Sequence, residues 1–208
     1  RSHDKDIANV IRYAVDNGAK VISMSLCKGD ALQKQGGDDA VKYAQSKDVL
    51  LVHAAGNDAK DIDTAENYPN PVYLDKSGIA PNFITVGASG DATNGGFTAK
   101  FSNYGKQSVD VFAPGVNIYS TLPGGDRYGN LSGTSMAAPV VAGVAALIRE
   151  YFPDLSAEQV KSVIEKSALP VTEKVQLPGI DSLVNLADIS ITGGEVNAFN
   201  AVKMAAIL

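Results

Sequence analysis

Two stretches of this chain are too apolar for too long to lie on the surface of a sheet. "DVLLVHAAGND" occupies 48–58 and "FITVGAS" occupies 83–89, and neither alternates polar with apolar residues as a half-exposed strand does. A strand that must hide both faces needs cover above and below. That is the situation of a parallel sheet whose crossovers are helices.

The intervening segments supply those helices. From Asp4, the residues Ile7, Val10, Ile11, Ala14 and Val15 recur at helical spacing, with Asp4 as N-cap and Asn17-Gly18 as the stop. "KVISMSL" (20–26) reads as a strand, and "DDAVKYAQSK" (38–47) as a helix capped by Asp38. After a loop rich in Asn, Asp and Pro over 57–82, "VDVFAPGVNIYSTL" predicts one or two strands broken at Pro114-Gly115. "GGDRYGNLSG" (124–133) has the composition of a hairpin or tight loop. The residues from Met136 to Ile148 form a helix apolar all round. Ser156 and Gln159 make a capping-box start for "AEQVKSVIEKSA", and a last helix runs from about Asn197. Residues 169–194 have no clear period and read as an insertion. The expected fold is α/β, with three layers and a mostly parallel twisted sheet flanked by helices, in one unit over 1–208.

Composition narrows the function classes. The net charge is −5 and no block of Lys or Arg forms a phosphate-tracking stripe, so nucleic acid is not an expected partner. No apolar run reaches the roughly 18 residues of a membrane span. The single cysteine, Cys27, excludes an internal disulfide, and with only His3 and His53 a histidine-rich metal centre is not expected.

"SGTSMAAPVVAGVAALI" (132–148) raises the functional question, because it mounts a serine at the mouth of a buried helix. A serine hydroxyl needs a base, an orienting carboxylate and oxyanion donors before it is a useful nucleophile, and a helix N-terminus supplies unpaired N–H groups and partial positive charge. Position alone would leave Ser135 or Thr134 as an N-cap. The ordered set "VISMSL", "HAAGND", "YPNP", "ITVGA", "FSNYG", "VDVFAPGVNIYST" and "GTSMAAPVVAG", with "GGEVNAFNAVKMA" closing the chain, resembles the subtilisin-like serine peptidases, the subtilase family.

The resemblance implies a set of roles. Ser135 is the nucleophile, and Asn57 donates its side-chain amide to the oxyanion together with the Ser135 backbone N–H. Ser25, Leu26 and Cys27 lie on the strand along which an extended peptide pairs, Ala55 and Gly56 form the opposite wall, and Thr134 is counted with the substrate-binding residues. Protein or peptide substrates and an extracytoplasmic location follow from the same resemblance.

There are departures from the family pattern. Its catalytic Asp and His lie in motifs upstream of everything here, in the order Asp, His, Ser. The chain is therefore expected to be the C-terminal part of a catalytic domain, inactive alone, with the missing N-terminal part as its partner. "VISMSL", "LLVHAA" or "FITVGA" could then present an open sheet edge for self-association. His53 is expected to be packed or at the pocket edge, and His3 solvated. Cys27 and Lys28 stand where the family usually has glycine, and Val140 where many secreted members carry histidine. No cofactor is expected. Calcium is the one cation the resemblance leaves open, near Asp110, but the neighbouring Ser108 is not a carboxylate and no strong metal site is expected. An α/β-hydrolase esterase would need a histidine after Ser135, and none follows. An order His53, Asp110, Ser135 on an all-β fold conflicts with the helices. A non-catalytic module that binds a peptide or partner chain stays open.

Overall fold

The structure is a computed structural model that describes residues 4–30, 33–90 and 96–208. His3 lies outside the described residues. The elements run α1 (Asp4–Asp16), β1 (Val21–Met24), α2 (Lys34–Ser46), β2 (Leu50–Ala54), β3 (Phe83–Ser89), β4 (Val111–Pro114), β5 (Ile118–Leu122), β6 (Arg127–Leu131), α3 (Thr134–Tyr151), α4 (Ala157–Ser167), β7 (Leu169–Pro170), β8 (Val175–Gln176), β9 (Leu183–Val184), β10 (Gly194–Glu195) and α5 (Ala198–Ala205).

The main sheet has the order β1-β2-β3-β4-β10-β7, parallel except for the antiparallel pair of β10 with β7. Every residue of β2 and β3 is buried, as their unbroken apolar runs require. Side chains of the sheet divide by the period of two. Leu50, Val52, Ala54, Ile84, Val86 and Ala88 face α3, α4 and α5, while Leu51 and Phe83 face α1 and α2. The result is three layers, the expected fold class. Where α1 and α2 do not reach, Val175, Leu186 and Ile189 from 169–194 bury Val109 and Phe112 instead, and β7 adds a strand to the sheet.

Some local expectations change. Val10 is exposed and Ala8 takes its place on the buried face of α1. Asp4 is no simple cap: its carboxylate accepts the Gln33 N–H at 2.7 Å and pairs with Lys28. Helix α2 starts at Lys34, four residues before Asp38, so Asp38 does not cap it. The Asp38 carboxylate is buried, 2.9 Å from Lys34 Nζ, and accepts the Leu74 N–H at 2.7 Å. Of the three candidate edges, β2 and β3 are interior; β1 alone among them lies at the sheet margin. The Ser156–Gln159 capping box and the β5-β6 hairpin form as expected.

Candidate active site

In an open parallel sheet, the loops at the carboxyl ends of the strands converge on one rim. Here Ser25 follows β1, Ala55 to Asn57 follow β2, and Gly115 follows β4 and accepts the Gly133 N–H at 2.8 Å. Helix α3 begins on that rim. Its small residues Ala137, Ala138, Ala142 and Ala145 are buried among sheet side chains and let it lie close against β1 to β4.

Gly133 is the N-cap of α3 and provides no side-chain cap, so the Ser135 hydroxyl is not used to finish the helix. Thr134, fully buried, locks the neighbouring loop instead. Its Oγ1 accepts the Gly56 N–H at 3.0 Å and donates to Asn57 Oδ1 at 3.0 Å, while its N–H donates to the same oxygen at 2.9 Å. With Oδ1 committed twice, the orientation of the amide is fixed and Nδ2 is the free donor. Nδ2 and the Ser135 nitrogen each lie 3.6 Å from the point where a side-chain carbon on Gly133 would stand. Glycine at 133 thus leaves open a small space with two N–H donors beside it, next to the positive end of α3.

The opposite side of the rim is tied to the serine itself. Pro139 has no N–H, so the Ser135 carbonyl is released from the helical ladder. It accepts the Ser25 hydroxyl at 2.8 Å, and the Ser135 hydroxyl lies 3.5 Å from the Ser25 carbonyl. Ser25 and Cys27 are exposed and Leu26 is half-buried. Gly56 has a φ of +105°, a conformation glycine adopts without strain, and a side chain there would meet Asn103 and Cys27.

Sequence reasoning missed two residues that hold this rim. Asn103, buried, donates to the Ala55 carbonyl at 2.9 Å and accepts the N–H groups of Asp58 and Lys60, each at 3.0 Å. It therefore clamps the turn that carries Asn57. Asn67 donates to the same Ala55 carbonyl at 3.1 Å. Asn103 stands in a quoted segment, "FSNYG", and Asn67 immediately precedes another, "YPNP", yet an asparagine in a loop reads as a turn former and nothing local betrays a distant partner.

The Ser135 hydroxyl faces the Ser25 carbonyl and makes no hydrogen bond with His53. His53 in β2 is completely buried, and neither ring nitrogen makes a hydrogen bond. Burial pushes its pKa down to about 4, against the opposing effect of the Leu26 backbone. Asp110 lies at the far end of β4 from Gly115; its carboxylate takes Lys161 Nζ at 2.8 Å and the Thr85 N–H at 2.6 Å. A triad of His53, Asp110 and Ser135 is not assembled. Among the described residues no group of three or more His, Cys, Asp or Glu side chains could hold a metal ion, and no helix is long and apolar enough to cross a membrane.

The model of the subtilase family of peptidases matches residues 1–191. The chain belongs to the subtilase family. This subtilase chain is 44% identical to thermitase of Thermoactinomyces vulgaris over 162 residues, covering 78% of the chain and 51% of thermitase. It is 39% identical to subtilisin of Bacillus pumilus over 163 residues, covering 78% of the chain and 54% of that relative. It thus spans about half the length of these curated relatives. Among solved structures, the patellamide maturation protease PatA superposes with a TM-score of 0.75 at 29% identity, over 99% of this subtilase chain and 70% of that one.

Proposed function

We propose that this chain is the nucleophile-bearing part of a serine endopeptidase, acting on protein or peptide substrates outside the cytoplasm. The observation that carries the reading is the pair of donors, Asn57 Nδ2 and the Ser135 N–H, flanking the open space over Gly133. In this scheme the Ser135 oxygen attacks the scissile carbonyl carbon as a base removes its proton. The carbonyl oxygen becomes an oxyanion held by the two donors, and collapse expels the amine and leaves an acyl-serine that water hydrolyses. The base and its orienting carboxylate come from a segment upstream of Asp4, whose strand also covers the open side of β1; without it, that edge invites self-association. The peptide lies along 25–27, paired backbone to backbone, with Ala55, Gly56 and Thr134 shaping the facing wall.

The test is made in the full-length protein. Asn57→Ala should lower kcat by about 10²–10³ with little change in KM, the loss known for the matching donor of a subtilisin. Ser135→Ala should abolish labelling by a fluorophosphonate. The 208-residue chain alone should hydrolyse a chromogenic peptide only when the upstream segment is added. An unchanged kcat in Asn57→Ala would reject the role of that residue, and robust turnover by the chain alone would reject the missing base. A second reading, a non-catalytic module that binds peptide on the same rim, is favoured by one observation: His53, the histidine described, touches neither Ser135 nor solvent.

A further inference from the structure

The turn that carries Asn57 abuts the segment 169–194, and two small residues make the contact. Ala59 has a φ of +54°, a left-handed conformation that costs an alanine free energy and has to be held from outside. Three bonds hold it: its N–H donates to the Phe101 carbonyl at 2.9 Å, and Asn103 Oδ1 accepts the N–H groups of Asp58 and Lys60 on either side. Across from it stands Gly179, in the loop between β8 and β9. A side-chain carbon on Gly179 would lie 2.8 Å from the Ala59 methyl carbon and 3.6 Å from the Ala59 carbonyl oxygen. That is too close for two methyl groups, so one segment would have to move. The anchoring decides which. Below the loop, Val175 is buried in one cluster with Leu186, Ile189 and Ala55; Pro178 is buried too, and Thr98 Oγ1 donates to the Gln176 carbonyl. The tip is closed by the Leu177 N–H on the Ser182 carbonyl at 2.9 Å and the Ile180 N–H on the Leu177 carbonyl at 3.1 Å. Asn57, Asp58 and Lys60 are exposed, so the turn yields first and Asn57 moves with it.

We propose that Gly179 is a positioning residue for the oxyanion donor: by carrying no side chain, it lets the turn at 57–60 settle where Asn57 Nδ2 faces the open space over Gly133. The inference rests on the peptidase reading above and deepens it by giving the segment 169–194 a part in the same reaction. Gly179 acts through Ala59 and touches no substrate. A displaced amide is a poor donor, and misplacement by about 1 Å costs up to about 10²-fold in rate. The loss falls on kcat, because the oxyanion exists only beyond the ground state.

The experiment is a double-mutant cycle in the full-length protein, with circular dichroism recording the fold of each variant. Gly179→Ala should lower kcat by about tenfold or more with KM little changed. Ala59→Gly removes the methyl that collides, at a φ that suits glycine, so the double variant should return to the kcat of Ala59→Gly alone. An unchanged kcat in Gly179→Ala overturns the proposal. So does an equal loss in both backgrounds, which would put the cost in the backbone at 179, where φ is +75°. Gly179→Ala unfolding where the double variant folds supports the contact, and unfolding of both overturns it. Hydrogen exchange read by mass spectrometry needs no turnover. In Gly179→Ala the amides of 58–60 should exchange about tenfold faster while those of 83–89 stay protected, and the double variant should match Ala59→Gly. Unchanged exchange at 58–60 overturns the proposal. The expected exchange in a protein that hydrolyses no peptide would count against the peptidase reading while supporting the hold of Gly179 on the turn.

Discussion

Lowering the pH should destabilise this chain through His53 by an amount the structure sets. The ring lies inside β2 between strand neighbours Met24 and Thr85, with the Phe83 ring 5.7 Å away and the Leu26 backbone beside it. Folding therefore holds the imidazole neutral, with a pKa near 4 against 6.5 in the unfolded chain. A folded pKa below the unfolded one means the unfolded state binds more protons between those values. The stabilisation is complete above pH 6.5 and is lost as pH falls toward 4. Linkage gives a loss of about 2 kcal/mol by pH 5 and about 3 kcal/mol by pH 4. Glu165 works in the opposite sense: burial and a hydrogen bond to Asp110, opposed by Lys161, raise its pKa to about 7, so its contribution is lost as pH climbs from the carboxylate range through 7. The two partly cancel in the native chain. His53→Leu removes only the first, with a side chain of similar size and no unpaired nitrogens. Urea unfolding followed by far-ultraviolet circular dichroism, which needs no tryptophan, should show His53→Leu at least as stable at pH 7.5 and about 2 kcal/mol better relative to native at pH 5. Equal pH slopes for the two proteins over that interval would refute the reasoning.

The remaining predictions concern the rim and the far end of the sheet. Thr134→Val strips a hydrogen-bond partner from the Gly56 N–H and Asn57 Oδ1, so it should lower stability by about 1–3 kcal/mol. In the full-length protein it should also reduce kcat more than KM, whereas Thr134→Ser should preserve both; a kcat loss shared by the Ser variant would count against the hydroxyl. Lys161→Met leaves the buried Asp110 carboxylate without its cation, an expected loss of about 3–5 kcal/mol in urea unfolding. Lys161→Arg should recover much of it, and near-native stability of the Met variant would show that the pair contributes little.

What the sequence made legible was whatever depends on neighbours in the chain. The run at Phe83–Ser89 could only be a doubly buried strand, and the Ser156–Gln159 box names its own helix start. Helix α2 was misjudged because Gly36 and Gly37 are poor helix formers. Its first turn is held by Lys34 Nζ instead, which pairs with Asp38 one turn on in the same helix and reaches across to Asn70 at 3.2 Å. The segment 169–194 shows no period because its strands are two residues long, too short for an alternation to show. At the site, Ser135 and Asn57 were visible through their motifs. Asn103 was not, since the N–H donors it accepts from lie 43 and 45 residues away.

Pro139 sets a trap for anyone who would improve this protein by making it more robust. A proline inside a helix is about 3 kcal/mol less favourable than alanine, so a stability-guided redesign would replace it early. The replacement restores an N–H that competes for the Ser135 carbonyl, the same atom that moors Ser25. A sturdier α3 would then come with a slack segment at Ser25, and selection for thermal endurance alone would loosen the rim it was meant to preserve.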